Sequence, residues 1–169
     1  MDDDHFLRRA IALSAEAAAL PETEPFGAVV VRDGVVVGEG FNRSRARLDP
    51  TSHGETEAIR DACARLGTLD LSGCELFSSC EPCALCVAAM AISGIARVVY
   101  AASLADSAEA LAGVPRDRRR GGDVSALRRD AGAPIGQGRI PARQALVAEA
   151  VVVLDAWAAA VTPRQPPEA

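Results

Sequence analysis

The residues best suited to chemistry in this chain are His53 and Glu55, in Pro50-Thr51-Ser52-His53-Gly54-Glu55, and the cysteines of Ser79-Cys80-Glu81-Pro82-Cys83-Ala84-Leu85-Cys86. A lone His-x-Glu says little, because it commonly marks a helix start with a charged face. The cysteine phrase changes its weight. Proline is favoured in the first turn of a helix, where its missing N–H costs nothing, so Pro82 predicts a helix opening at the cysteines. Two cysteines three apart share one face of a helical turn and can reach one ion. A helix N-terminus also favours their thiolate forms, through its unpaired N–H groups and dipole. His53 and Glu55 start another helix, and if the two starts face each other from one sheet edge, an imidazole and two thiolates converge.

Three protein ligands with a place left for water make a catalytic zinc site, whereas four close a structural one. Zinc on His53, Cys83 and Cys86 would lower the pKa of a bound water toward about 7. Glu55, two residues from His53, points elsewhere on the helix and is placed to move a proton instead of binding metal. Other readings stay open at this level. His53 can be a helix cap, and the cysteines can be small buried hydrophobes. Cys80 as a fourth ligand would close the site, although Pro82 and the helix start should turn it away from the Cys83/Cys86 face. Cys63 and Cys74 read as core residues.

Composition narrows the classes. A chain of 169 residues fits one domain with room for a core. At 49% hydrophobic but only 4% aromatic, that core must be built mainly from Ala, Val and Leu. The net charge of −5 argues against a broadly basic nucleic-acid surface. The exception is local: Arg116-Asp117-Arg118-Arg119-Arg120 and Arg128-Arg129 form either a solvated loop or an RNA contact. Asp2-Asp3-Asp4 stands where a secretory signal would carry positive charge, and no apolar run approaches the roughly 20 residues of a membrane span. A cytoplasmic setting with no membrane contact is expected, with the five cysteines as thiols or metal ligands rather than disulfides.

The elements that must position these residues follow from pattern. Residues 2–20 predict a helix, and PFGAVVVRDGVVVGEGFN predicts two strands joined at Asp33-Gly34. A polar loop leads to a helix over about 52–65. A strand at 74–78, a helix from Pro82 to about Ile92, a strand at 97–100 and a short helix over 106–111 follow. Residues 113–138, rich in Gly, Arg, Asp and Pro, predict a functional or mobile loop. A strand near 143–147 and an apolar helix with Leu154 and Trp157 come last, before a tail over 163–169 expected to be disordered. The order implies an α/β fold, a three-layer α/β/α sandwich around a mixed sheet of about five strands, with residues 1–162 as one domain.

His-x-Glu followed by Pro-Cys-x-x-Cys is the signature of zinc-dependent base deaminases. On PFGAVVVRDGVVVGEGFN, DPTSHGETEAIRDA and LFSSCEPCALCVAAM, the chain resembles the cytidine deaminase-like superfamily, nearest its bacterial guanine deaminase branch, with tRNA adenosine deaminases next. The likeness runs over 24–109 and resumes weakly over 140–157. It implies zinc on His53, Cys83 and Cys86, Glu55 as proton shuttle, Phe26 in the pocket wall, Asn42 on the base and the Gly54 backbone at the substrate edge. Glu81 would orient the site. Asn42 also reads as a turn residue and Phe26 as core. The family more often has alanine where Gly54 stands.

Two departures touch the substrate. Guanine deaminases commonly carry an acidic pair where this chain reads LAGVPRDRRR, with Asp117 the nearest acid, and they can end in an aromatic residue where this one ends PPEA. The 113–138 loop is a candidate for the closing role. The expected activity is hydrolytic deamination of a free nucleobase, guanine or a related aminopurine first, then a cytosine-like or triazine ring, then adenosine in tRNA. The rival class is an RNA-binding module with structural zinc. The resemblance further implies a homodimer, in some members with an exchanged C-terminal segment, in which Trp157 would lie on the shared surface or in the core.

Overall fold

The computed structural model describes residues 3–115, 117–119 and 123–162. The chain divides into two compact units, Met1–Arg128 and Arg129–Ala169. The first opens with helix α1 (Asp3–Ala18), whose first turn carries Asp3 and Asp4 and whose buried residues Phe6, Ala10, Leu13 and Ala17 recur at helical spacing. Strands β1 (Glu24–Arg32) and β2 (Val35–Asn42) form the expected hairpin. Asp33 and Gly34 take φ of 50° and 75°, the pair of positive values that a tight hairpin turn requires. Helix α2 (Ser44–Arg47), helix α3 (Gly54–Leu66), strand β3 (Glu75–Cys80), helix α4 (Ala84–Ser93), strand β4 (Arg97–Ala102) and helix α5 (Leu104–Ala110) follow.

The sheet order is β2-β1-β3-β4, with β1 antiparallel to both neighbours and β3 parallel to β4. Strand alternation sorts the side chains into two cores. Ala28 and Val30 of β1 and Leu76 of β3 pack with Ala58, Ile59 and Ala62 of α3 and Met90 of α4. Val29, Val31 and Phe77 pack on the other face with Phe6 and Leu13 of α1. Helices thus cover both faces, as expected. Each fully buried Val, Leu or Phe side chain among them contributes roughly 1.5–3 kcal/mol. Gly40 lets α3 lie close on β2, since a Cβ there would stand 2.4 Å from the Ala58 backbone nitrogen.

Helix α6 (Val124–Ala131) crosses into the second unit, which also holds a short 3₁₀ turn (Ile135–Gln137) and helix α7 (Val147–Val161). Three expectations change. The 113–138 segment contains α6, which Asp123 caps by accepting from the Ala126 N–H at 2.9 Å. The strand near 143–147 does not form. Residues 141–146 are irregular and Leu146 sits at φ 57°, a left-handed turn that ends any extended run. Among the described residues the sheet therefore has four strands. Trp157 is not buried: it is 67% exposed, and among the described residues α7 has no buried side chain. Arg116, Arg120 and the 163–169 tail lie outside the described residues. Among the described residues no helix is long and apolar enough to cross a membrane.

Candidate active site

The two helix starts converge. His53 is the N-cap of α3 and Cys83 the N-cap of α4, each in extended conformation. The His53 N–H donates to Thr56 Oγ1 at 3.0 Å, which fixes the backbone there, and the imidazole Nδ1 faces the two sulfurs. The loop before it is held by Glu57 at 8% exposure, whose carboxylate accepts from Ser52 Oγ at 2.9 Å, from Arg60 at 2.6 Å and from Arg47. Backbone bonding from Arg43 N–H to the Ser52 carbonyl closes that loop.

His53 Nδ1 lies 3.5 Å from Cys83 Sγ and 3.5 Å from Cys86 Sγ, and the sulfurs are 3.6 Å apart. A tetrahedral ion with Zn–S near 2.3 Å and Zn–N near 2.0–2.1 Å needs edges of about 3.8 Å between sulfurs and about 3.5 Å from sulfur to nitrogen. The three atoms therefore already form one face of a zinc tetrahedron. Among the described residues this is the one group of His, Cys, Asp and Glu drawn together tightly enough to hold a metal. Cys80 is set apart: its thiol reaches the Ser103 carbonyl at 3.8 Å, and burial raises its pKa.

The electrostatics suit a cationic centre. The hydrogen bond with Cys86, and then His53, hold the Cys83 thiol down at about 4. That same bond, with burial, pushes Cys86 up, and the Cys83 sulfur raises His53. Glu55 is buried at 7% exposure against the Cys86 sulfur, and burial raises its pKa. A buried carboxylate whose proton affinity is raised in this way is suited to taking a proton and returning it.

Around this centre stand the remaining candidates. A Cβ on Gly54 would lie 2.8 Å from the Phe26 carbonyl oxygen, so β1 runs directly against the start of α3. Phe26 is half-buried and belongs to neither core cluster. Asn42 is buried, and its Oδ1 accepts from the Ser44 N–H at 2.9 Å, so it does serve as a turn residue. That bond engages the oxygen and leaves the NH₂ group to donate. Asn42 also pairs in register with Glu24 across the hairpin.

Three arginines of the 116–129 region are paired with acids. Arg118 pairs with Glu22, Arg119 with Glu24 and Arg128 with Glu81. Sequence reasoning missed these contacts and the Glu57 hub. Arg60, three residues from Glu57 on one helix, was the readable part of that hub; Arg47 and Ser52 reach it only through the fold. A larger cavity of about 520 Å³ lies along Arg9, Glu39, Arg43, Asp61 and Arg65, but none of the metal trio borders it.

Comparison with known proteins agrees with this geometry. Residues 1–102 match the cytidine and deoxycytidylate deaminase zinc-binding region. A guanine deaminase of Bacillus subtilis (strain 168) is 37% identical over 157 residues, spanning 93% of this chain and 94% of that protein. The solved B. subtilis guanine deaminase superposes with a TM-score of 0.82 at 35% identity, covering 98% of this chain and 99% of that one. A tRNA-specific adenosine deaminase of Aquifex aeolicus is 37% identical over 102 residues, 60% of this chain and 67% of its own length.

Proposed function

Since the chain belongs to the cytidine and deoxycytidylate deaminase zinc-binding family, we propose that it is a hydrolytic deaminase of a free nucleobase, with guanine or a related aminopurine as substrate. The reaction replaces the exocyclic amine of the ring by oxygen from water and releases ammonia. The observation that carries this reading is the His53, Cys83 and Cys86 triangle with the Glu55 carboxyl buried beside it. The near full-length likeness to guanine deaminase favours a free base over tRNA, and so does the pairing of the described loop arginines with acids.

His53, Cys83 and Cys86 would hold zinc, which supplies the Lewis acidity that makes water a nucleophile at neutral pH. Glu55 takes the proton released by that water and delivers it to the ring nitrogen. It then carries the second proton to the departing amine, so that ammonia leaves and the ring carbonyl forms. Phe26 packs on the face of the base, the Asn42 NH₂ donates to an acceptor on its edge, and the Gly54 N–H completes the cradle. Glu81 fixes the turn that carries Cys83.

The protein acts as a homodimer in the cytoplasm. Helix α7 lays Val152, Leu154 and Trp157 open to solvent in the single chain, an apolar face that a second copy would cover. Five free thiols fit a reducing compartment. Light scattering at micromolar concentration should give twice the chain mass; a monomer removes the dimer.

Ammonia release by the zinc-loaded protein, measured on a panel of bases, nucleosides and a tRNA anticodon stem-loop, tests the activity. Guanine should be the best substrate, and Glu55→Gln should lower turnover by about 10²–10⁴ with zinc retained. Turnover that survives this change rules the mechanism out and favours a structural-zinc module.

A further inference from the structure

The segment that replaces the expected acidic pair does something specific. Arg119 lies over the ring of Phe26, with its guanidinium carbon 5.4 Å from the ring centroid, within reach of a cation–π contact. Its Nε donates to Glu24 Oε2 at 3.3 Å, and both side chains are largely covered, at 29% and 17% exposure. Glu24 is the cross-strand partner of Asn42. Arg119 therefore touches Phe26 directly and, through Glu24, adjoins Asn42, the two side chains assigned to the base.

The segment is anchored from outside. Arg45 bonds both Glu22, at 2.8 Å, and the Asp117 carbonyl, and Arg118 reaches Glu22 at 3.5 Å. A cavity of about 160 Å³ adjoins the segment, lined by Glu24, Pro25, Arg45, Leu111 and Arg119 among others, and none of the metal trio borders it. With Nε held by Glu24, the two terminal nitrogens of Arg119 make no hydrogen bond among the described residues. They form a planar fork of donors with no acceptor capacity.

We infer that Arg119 is a specificity-determining residue, which holds the acceptor-bearing edge of the base over Phe26 and selects rings with an oxo group there against rings with an amine. This rests on the nucleobase deaminase reading. A donor-only fork pairs with a carbonyl oxygen and an adjacent ring nitrogen, the geometry by which arginine reads guanine O6 and N7. An amine at the same place sets donor against donor and leaves buried groups unpaired.

The test compares guanine with 2,6-diaminopurine, in which an amine takes the place of the 6-oxo group. In the zinc-loaded protein, Arg119→Ala should lower the ratio of kcat/KM for guanine to that for 2,6-diaminopurine by about tenfold or more. The loss should fall mainly on KM for guanine, with zinc content unchanged. Arg119→Lys keeps the charge but not the fork, and should lose most of the same discrimination. A ratio within about threefold of the unsubstituted protein in both variants overturns the assignment while leaving the deaminase intact. Should the unsubstituted protein fail to deaminate guanine, calorimetric binding of the two purines decides. Guanine binding weakened about tenfold by Arg119→Ala keeps Arg119 as the reader while the activity reading falls. Equal binding, or none, overturns it.

Discussion

Arg128 Nη2 donates to Glu81 Oε1 and to the Pro82 carbonyl, each at 2.9 Å, and so ties α6 to the turn that delivers Cys83. The other oxygen of Glu81 accepts from the Leu104 N–H at 3.1 Å. With Leu104 first and Arg128 next, the Glu81 carboxyl is held below its usual range. Residues that orient metal ligands typically matter ten- to a hundredfold in metal affinity. Arg128→Ala should weaken zinc binding by roughly that factor in a chelator competition, with Arg128→Lys restoring part of it. Unchanged affinity would reduce the contact to an ordinary surface ion pair.

Cys80 and Cys83 carry different expectations although they are three residues apart. His53→Ala, Cys83→Ser and Cys86→Ser should each take zinc from about one ion per chain to background, because each removes a corner of the triangle. Cys80→Ser should keep zinc, since its sulfur is turned to the Ser103 carbonyl. Elemental analysis of the purified variants checks both, and zinc loss in Cys80→Ser would add a fourth ligand to the site.

Gly54 stands where this backbone has no room for a side chain. A methyl group 2.8 Å from the Phe26 carbonyl must push β1 from α3. Gly54→Ala should destabilise by about 1–3 kcal/mol, or a few degrees in Tm for a chain of this size. Denaturation read by circular dichroism measures it. No change in Tm would mean that the hairpin yields freely at this point.

The bidentate pair of Arg9 and Glu39, with both contacts at 2.7 Å, sets an acid limit. Arg9 holds the Glu39 carboxyl below its usual range. A depressed folded-state pKa gives stability that is present above the unfolded value, near 4.3, and is lost as pH falls through the folded value. Glu39→Gln should lower stability at pH 7 and flatten its decline between about pH 5 and pH 3. Urea unfolding at pH 7, 5 and 3 compares the slopes; parallel slopes would leave the pair without a role in acid stability.

Much of the fold could be read in the sequence because it rests on local signals. Asp33-Gly34 marks a turn that needs two positive φ values. The Phe6, Ala10, Leu13, Ala17 spacing marks a helix face, and Pro82 marks a helix start. The misses also have local causes. Asp123 is a good cap, but it is hidden in a Gly- and Arg-rich run that masks the helix after it. The 143–147 stretch lacks the β-branched run a strand needs, and Leu146 turns left-handed.

By itself the sequence determined which residues are proposed for the chemistry, because His53, Glu55, Cys83 and Cys86 announce themselves by type and by their place at two helix starts. Only the tertiary structure decided their distances, the turn of Cys80 toward the Ser103 carbonyl and the company they keep. Arg119 is 93 residues from Phe26 in the chain and Arg128 is 47 from Glu81, and no spacing rule links such pairs. Helical and strand periodicities fix which side of an element a residue faces, but only over a few turns. Which elements then meet is set by how two cores pack on one sheet, and that packing is a property of the whole chain.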